Sequence, residues 1–434
     1  MNKTYKLLVL GCQMNKSDAE RIEAVLRSLG YSEAKSEREA GILMVVACSV
    51  RQKGVDRIFG KAQVWNRYKQ KCERREAIAE KLTMLTGCLA LHDKNKLEKK
   101  FDFIFDIKNL WQLEKFLFDK ETLPKDYLKI IPKYQSTFQA FLPIMTGCNN
   151  FCSYCIVPYV RGREVSVDLK DVLAQAEDLA CAGRKEITLL GQNVNSYDPR
   201  DASEFSPANP FKNNFARLLW ELNRINGLER LHFMTSHPKD MSDDLIQALS
   251  LPKLVNYLHL PVQSGSDNIL SAMNRNYKID DYLKIIQQVR KVKPGIAIGT
   301  DIIVGFPGET EKDFQETVDL CNKVKFDIVY AAQYSPRPQT ASAKLENDVS
   351  GAEKKRRWQI LQNLNEQYSF ENNKKYLNKK VSVLIDTKVE NNLWEGNSLE
   401  MKRVRVAGDE NLIGKIVAVE VREAKEWILM GNSK

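Results

Sequence analysis

Four short apolar runs punctuate the first quarter of the chain: YKLLVLG (5–11), GILMVVA (41–47), LTMLTG (82–87) and FDFIFDI (101–107). Each has the length of a strand, and the stretches between them carry apolar residues at helical spacing. KSDAERIEAVLRSLG opens on Ser17 as an N-cap and closes on Gly30, while residues 52–80 read as one long basic helix. Strand, helix, strand in this order predicts a doubly wound parallel α/β sheet. Cys12, Cys48 and Cys88 each follow directly on one of the first three strands. In an open parallel sheet those ends share one edge, where ligands bind, so the pattern puts the three thiols at one site.

Residues 108–140, with Pro124 and Pro132, read as a connector before a second series of runs. FLPIMTG (141–147), EITLLGQN (186–193), LERLHFMTS (228–236), YLHLPVQSG (257–265), IAIGTDIIVGFPG (296–308) and FDIVYAAQYSP (326–336) alternate with helical segments at 166–182, 242–250, 278–293 and 310–323. Six such units are too few for an eight-stranded barrel; they predict a curled, partly open (βα)6 barrel with polar strand ends on one face. Residues 196–214 read as a surface loop. From Lys380 the texture changes to short alternating runs, KVSVLID, KRVRVAG and GKIVAVEVREAKEWILMG. These predict a small antiparallel β-barrel of ~60 residues. The expected domains are 1–120, 138–366 and 370–434.

Charge adds a hint about partners. The net charge is +10 at neutral pH, which favours a polyanion. Residues 353–380 are basic, with Trp358, Tyr368, Phe370 and Tyr376 interleaved, a composition suited either to RNA or to a charged surface helix. No run approaches the ~18 apolar residues of a membrane span, so a soluble, cytoplasmic protein is expected. The nine cysteines are then thiols or metal ligands rather than disulfides.

In MTGCNNFCSYCIVPYVRGRE (145–164), Cys148, Cys152 and Cys155 stand close enough for one loop to wrap a compact cluster. Thiolates favour zinc or iron–sulfur clusters. A cubane with three protein thiolates keeps one iron for a substrate or cofactor; zinc would need a fourth ligand from elsewhere. For Cys12, Cys48 and Cys88 the residues alone leave metal binding and ordinary thiols equally open, and Cys88 with His92 also fits half of a zinc site. Cys72, Cys181 and Cys321, on helical segments, read as ordinary thiols.

LGCQMNKSDAER, CSVRQK, TGCLA, GCNNFCSYCIVPYVRGRE, LLGQNVNSY, HLPVQSGSD, TDIIVGFPGET and YSPRPQTASA together resemble the radical S-adenosylmethionine (SAM) methylthiotransferases, specifically the tRNA-2-methylthio-N6-dimethylallyladenosine synthases. The resemblance runs through nearly the whole chain, and the last part is similar to the RNA-binding TRAM domain. It implies an auxiliary [4Fe-4S] cluster on Cys12, Cys48 and Cys88, and a radical SAM [4Fe-4S] cluster on Cys148, Cys152 and Cys155. One SAM would methylate a sulfur at the auxiliary cluster; another would yield the radical that takes hydrogen from C2 of a modified adenosine at position 37, in the anticodon loop of tRNA.

For SAM or substrate the resemblance implies Tyr154 in the loop, Gln192 and Asn193 after the second barrel strand, Gln263 and Ser264 after the fourth, and Asp301 with the GFPGET turn at the fifth. Arg161 and Arg163 would meet RNA phosphate or solvent. An electron donor protein and a sulfur source are expected partners, and the protein is expected to be a monomer. Two departures stand out: VACSV replaces the family's usual Asn-Thr-Cys, and VSVD after RGRE replaces Ser-Arg-Pro. Competing expectations are a sister methylthiotransferase, acting on threonylcarbamoyl-adenosine or a ribosomal-protein aspartate, and a zinc-stabilised, non-catalytic RNA-binding protein.

Overall fold

The computed structural model describes residues 2–50, 52–73, 81–408 and 410–433. The end of the expected long helix, 74–80, and the side chain of Cys72 lie outside the described residues. The chain packs as two compact units: Met1–Ser136, Phe141–Val167 and Ser335–Lys344 in the first, Thr137–Ala140, Asp168–Tyr334 and Leu345–Lys434 in the second.

The first unit is built on β1 (Thr4–Val9), α1 (Gln13–Ser28), β2 (Ser32–Glu33), β3 (Ile42–Cys48), α2 (Gln52–Glu73), β4 (Leu82–Cys88), α3 (Leu91–Leu97), β5 (Phe103–Ile104) and α4 (Trp111–Phe118). The strands form one parallel sheet in the order β2-β1-β3-β4-β5. Strand β3, ILMVVAC, is apolar without alternation because both of its faces are covered. On one face Ile22, Val25 and Leu26 of α1 and Leu113 of α4 meet Tyr5, Met44, Val46 and Met84. On the other, Ile58, Ala62 and Trp65 of α2 and Leu97 of α3 meet Leu43, Val45, Ala47 and Leu85. Each such burial contributes roughly 1.5–3 kcal/mol, so a one-residue slip, which would exchange the two faces, is strongly disfavoured.

Helix α1 begins one turn earlier than expected. Cys12, not Ser17, is its N-cap; Ser17 is buried in the second turn, where its Oγ accepts from Arg21 Nη1 at 2.7 Å. The reason lies at Gly11, whose φ of +106° turns the chain straight from strand into helix.

The chain passes between the units along β6 (Gln139–Pro143). Back in the first unit, β7 (Met145–Thr146) pairs antiparallel with β8 (Val165–Ser166), bracketing the cysteine loop and α5 (Val157–Arg161).

The second unit continues through α6 (Leu169–Cys181), β9 (Glu186–Leu190), α7 (Asn214–Asn223), β10 (Arg230–Phe233), α8 (Asp243–Ala248), β11 (Tyr257–His259), α9 (Asp267–Ala272), α10 (Ile279–Val292), β12 (Ala297–Val304), α11 (Glu311–Val324) and β13 (Ile328–Gln333). Within this unit β9 and β10 pair in parallel, β11, β12 and β13 form a parallel sheet in chain order, and a parallel bridge joins Leu231 to Leu254. Parallel strands in chain order with helices between them accord with the expected series of strand–helix units.

In helix α12 (Gly351–Lys374), two of the aromatics interleaved with the basic residues are engaged inside the fold. Trp358 Nε1 donates to Ala331 O at 3.1 Å and Tyr368 OH to Asn322 Oδ1 at 2.8 Å. Arg357 is buried against Glu309 and Glu353, and Arg356 pairs with Glu311 and Glu353. These side chains lock the helix onto β13 and α11.

Strands β14 (Lys380–Glu390), β15 (Leu393–Ser398), β16 (Arg403–Ala407), β17 (Ile416–Ala424) and β18 (Leu429–Ser433) close a barrel in the order β14-β15-β16-β18-β17 around Val383, Ile385, Val404, Val406, Val419, Val421 and Leu429. The expectation of an antiparallel barrel needs one correction: β16 and β18 run parallel. A closed ring with an odd number of strands cannot alternate direction all the way round. No described helix is long and apolar enough to cross a membrane.

Candidate active site

Three strand ends build the first candidate site. Cys12 is exposed at the amino end of the sixteen-residue α1, and its side chain makes no capping hydrogen bond. Cys48 and Cys88 end β3 and β4 as register partners, and Ser49 N donates to Cys88 O at 2.8 Å. The strand order reverses between β1 and β3, so Cys12 and Cys48 flank the crevice where sheets of this order bind ligands. A Cβ on Gly11 would stand 2.6 Å from Cys48 Cβ and 3.0 Å from its Sγ; only glycine lets these two strand ends approach. Asn15, fully buried, donates through Nδ2 to Leu10 O at 2.6 Å and to Ala47 O at 2.7 Å, tying the same ends together.

The second set is local. Cys148 N donates to Gly162 O at 3.2 Å, and Cys155 N donates to Cys152 O at 2.9 Å, so the loop is folded on its own backbone. Gly147, at φ +81°, lies where a Cβ would stand 2.0 Å from Arg163 O. Cys148 and Cys152 are buried, Cys155 and Tyr154 half-buried. Ser342 N, from the returning segment, donates to Ser153 O at 2.8 Å.

Among the described residues no group of three or more His, Cys, Asp or Glu is arranged to hold a single metal ion. Thiolates on a cubane each bind a different iron and need not converge on one point, so two all-cysteine sets fit iron–sulfur clusters better than one ion.

Two buried arginines reach the edge of the N-terminal sheet. Arg161, 2 % exposed, donates from Nε to Cys88 Sγ at 2.9 Å and from Nη2 to Asn15 Oδ1 at 3.0 Å and Asp18 Oδ2 at 2.6 Å. The expected contact with RNA phosphate is therefore wrong for Arg161. Arg163 is exposed and lies over the Phe151 ring. Burial pushes the Cys88 thiol up to about 12, with the Arg161 charge working the other way. Arg337, also buried, donates from Nη2 to Asp93 Oδ2 at 2.6 Å and from Nη1 to Gln52 Oε1 at 2.7 Å.

In the second unit, Gln192 is half-buried and Asn193 buried after β9, and Asn193 Nδ2 donates to Asp240 Oδ2 at 2.7 Å. Gln263 has φ +75°, its N donating to Asp301 O and its O accepting from Ile303 N. Ser264 is fully buried; its Oγ accepts from Ser266 N at 3.2 Å and lies 3.4 Å from Thr317 Oγ1. That hydroxyl is engaged inside the fold. Asp301 is 36 % exposed and lies 2.9 Å from His259 Nε2, whose Nδ1 is 3.1 Å from Tyr257 OH. Tyr330, the register partner of Asp301, is exposed. The GFPGET turn closes on itself: Gly305 N donates to Glu309 Oε2 at 2.6 Å, and Glu309 pairs with Arg357.

Comparison with known proteins decides the family. Residues 142–321 match the model of the Radical SAM superfamily, and residues 4–106 match Uncharacterized protein family UPF0004. The tRNA-2-methylthio-N(6)-dimethylallyladenosine synthase of Alkaliphilus oremlandii is 39% identical, over 99% of this chain and 93% of the relative. That of Syntrophus aciditrophicus is 41% identical over 99% and 94%. The chain belongs to the tRNA-2-methylthio-N(6)-dimethylallyladenosine synthase family. Solved structures support the fold: the radical S-adenosylmethionine methyltransferase TsrM from Kitasatospora setae, with cobalamin and a [4Fe-4S] cluster bound, superposes with a TM-score of 0.53 at 13% identity, over 79% of this chain and 74% of that one. The cobalamin-dependent enzyme OxsB gives 0.53 at 10% identity, over 85% and 56%.

Within this synthase-family chain, the motif residues Asn15 and Asp18 of LGCQMNKSDAER, Gln52 of CSVRQK and Arg337 of YSPRPQTASA have structural partners that sequence reading missed. Their signal was only their presence inside motifs; the pairings span up to 285 positions. The Tyr257–His259–Asp301 line was also missed. Its signal is the i, i+2 spacing of Tyr257 and His259, which puts both on one face of β11.

Proposed function

We propose that this chain transfers a methylthio group to C2 of N6-dimethylallyladenosine at position 37 of tRNA, with two [4Fe-4S] clusters and SAM as cofactors. The observation that carries the reading is that two sets of three cysteines belong to one compact unit of a chain related over its whole length to synthases of that name. C2 of an adenine bears no acidic proton and no good leaving group, so acid–base chemistry has no hold on it. The cofactors supply the radical that removes its hydrogen and the methylated sulfur that replaces it.

In this reading Cys148, Cys152 and Cys155 hold the radical SAM cluster, and Cys12, Cys48 and Cys88 the auxiliary cluster. Tyr154, Gln192, Asn193 and Gln263 bind SAM, Gln263 from the end of the fourth barrel strand. Ser264, its hydroxyl engaged with the start of α9 and with α11, shapes that strand end instead of presenting a donor. Asp301, held as an acceptor by His259, faces SAM or substrate. Residues 1–120 form the methylthiotransferase domain, 138–366 the radical SAM domain and 370–434 a TRAM-like domain that holds RNA. The protein works in the cytoplasm as a monomer, with an electron donor protein and a sulfur source.

The test is mass spectrometry of tRNA nucleosides from cells lacking the protein. The 2-methylthio nucleoside should vanish and its dimethylallyl precursor accumulate; an unchanged profile would sink the assignment and redirect it to the sister substrates.

A further inference from the structure

Arg161 lies at the carboxyl end of α5, the five-residue helix that follows the Cys148–Cys155 loop. Ile156, the N-cap of α5, and Val160, its fourth residue, pack with Cys88 and Ala90 in one apolar cluster. The helix that leaves one cysteine set therefore rests on a member of the other. Burying a guanidinium costs several kcal/mol unless it is paired and fully hydrogen-bonded. Asp18 meets the charge at 2.6 Å, and Asn15 and the Tyr127 hydroxyl, 3.3 Å from Nη1, take further N–H groups. Those partners take three of the four terminal N–H groups. The Nε–H donor is directed at sulfur, 2.9 Å away.

The reduction potential of an iron–sulfur cluster depends on net charge, on hydrogen bonds to its sulfurs and on exposure. A buried guanidinium that donates to a ligand sulfur stabilises the more negative, reduced state through the second of these, because Asp18 offsets its net charge. We propose that Arg161 is a positioning residue of the auxiliary cluster: it holds the Cys88 sulfur and raises the reduction potential of that cluster alone. The inference rests on Cys88 being a ligand, as proposed above. It gives α5 a second task, since a residue in the radical SAM motif's own flank then adjusts the partner cluster.

Arg337 supplies a control. It is a buried arginine in the same unit, paired with Asp93 and Gln52 through oxygen atoms. The experiment is a redox titration followed by electron paramagnetic resonance on the full-length, anaerobically reconstituted protein, with iron counted for each variant. Because Arg161→Met alone would strand the Asp18 charge, it is made together with Asp18→Asn, and the control Arg337→Met is for the same reason made together with Asp93→Asn; Arg161→Lys keeps charge without the planar fork. One cluster should move to lower potential in the Arg161 double variant and the other stay, with a smaller shift for Arg161→Lys and none for the Arg337 double variant. Loss of one cluster's iron in the Arg161 double variant but not in the Arg337 one also supports the assignment. Unchanged potentials at full iron content, or equal shifts or losses in the Arg337 double variant, would overturn it. Cys88→Ala separates the two levels: if it still holds both clusters, the ligand assignment itself fails whatever Arg161 does.

Discussion

The two cysteine sets reach the same number of thiols by opposite routes. Cys148, Cys152 and Cys155 sit in one loop, held by backbone bonds within residues 148–162 and bracketed by the short β7–β8 pair. Cys12, Cys48 and Cys88 come together only because three strands lie in register and the strand order reverses between β1 and β3. A slip of β4 by one residue would turn Cys88 to the opposite face of the sheet. The local set needs a loop; the dispersed set needs a whole folded domain, a glycine without a Cβ and a buried asparagine strap. Damage to the sheet should therefore cost the second cluster without costing the first.

The largest test removes one thiol from each set. Cys148→Ala should abolish SAM cleavage, read as 5′-deoxyadenosine formation, and with it all product. Cys12→Ala should leave cleavage running uncoupled, with no thiomethyl nucleoside formed. Thiomethylation at a normal rate in the Cys12 variant would remove the division of labour on which the comparison rests.

A milder test adds a single methyl to each glycine cradle. At Gly11 an alanine meets a positive φ, costing roughly 1–2 kcal/mol, and the Cys48 side chain besides. At Gly147 it meets the Arg163 carbonyl, which is backbone and has less room to yield. After reconstitution, Gly11→Ala should keep about four of about eight irons and retain SAM cleavage, since two cubanes carry four each. Gly147→Ala should lose cleavage. Equal iron in the Gly11 variant and the unaltered protein would show that the dispersed set tolerates a looser sheet than its packing implies.

How much of this was legible follows the same divide. The loop set could be read directly, because spacing within eight residues is itself the geometry. The dispersed set became legible only through topology: each cysteine closes a buried apolar strand, and parallel order brings such ends to one edge. Arg161 was misread because a cation after an exposed-looking loop resembles a phosphate contact, while Asn15 and Asp18, which bury it, lie more than 140 positions away. Ser17 reads as a cap because the rule for helix starts weighs side chains, whereas the turn at Gly11 commits the backbone earlier. For α12 the sequence left RNA stacking and a charged surface helix both open, because it carries no sign that Trp358 would meet β13 and Tyr368 α11.

The smallest of these tests is directed at the strap. Asn15 gives two hydrogen bonds to backbone oxygens, at Leu10 and Ala47, and accepts one from Arg161. Asn15→Ala leaves buried groups unpaired and should cost roughly 2–3 kcal/mol, at about 1 kcal/mol or more for each lost bond. Asn15→Asp is nearly isosteric and keeps the acceptor toward Arg161, but it faces carboxylate oxygen against the two carbonyls that the amide had served. If the strap is what joins β1 to β3, the aspartate variant should unfold at a lower urea concentration than the alanine variant, despite its added attraction to Arg161. If the interaction with Arg161 matters more, the order should reverse. Either variant should keep SAM cleavage, because the backbone bonds that fold the cysteine loop do not involve this residue, which reaches that segment only at Arg161, at the end of α5; loss of cleavage would mean that the loop depends on α5 being held to the sheet.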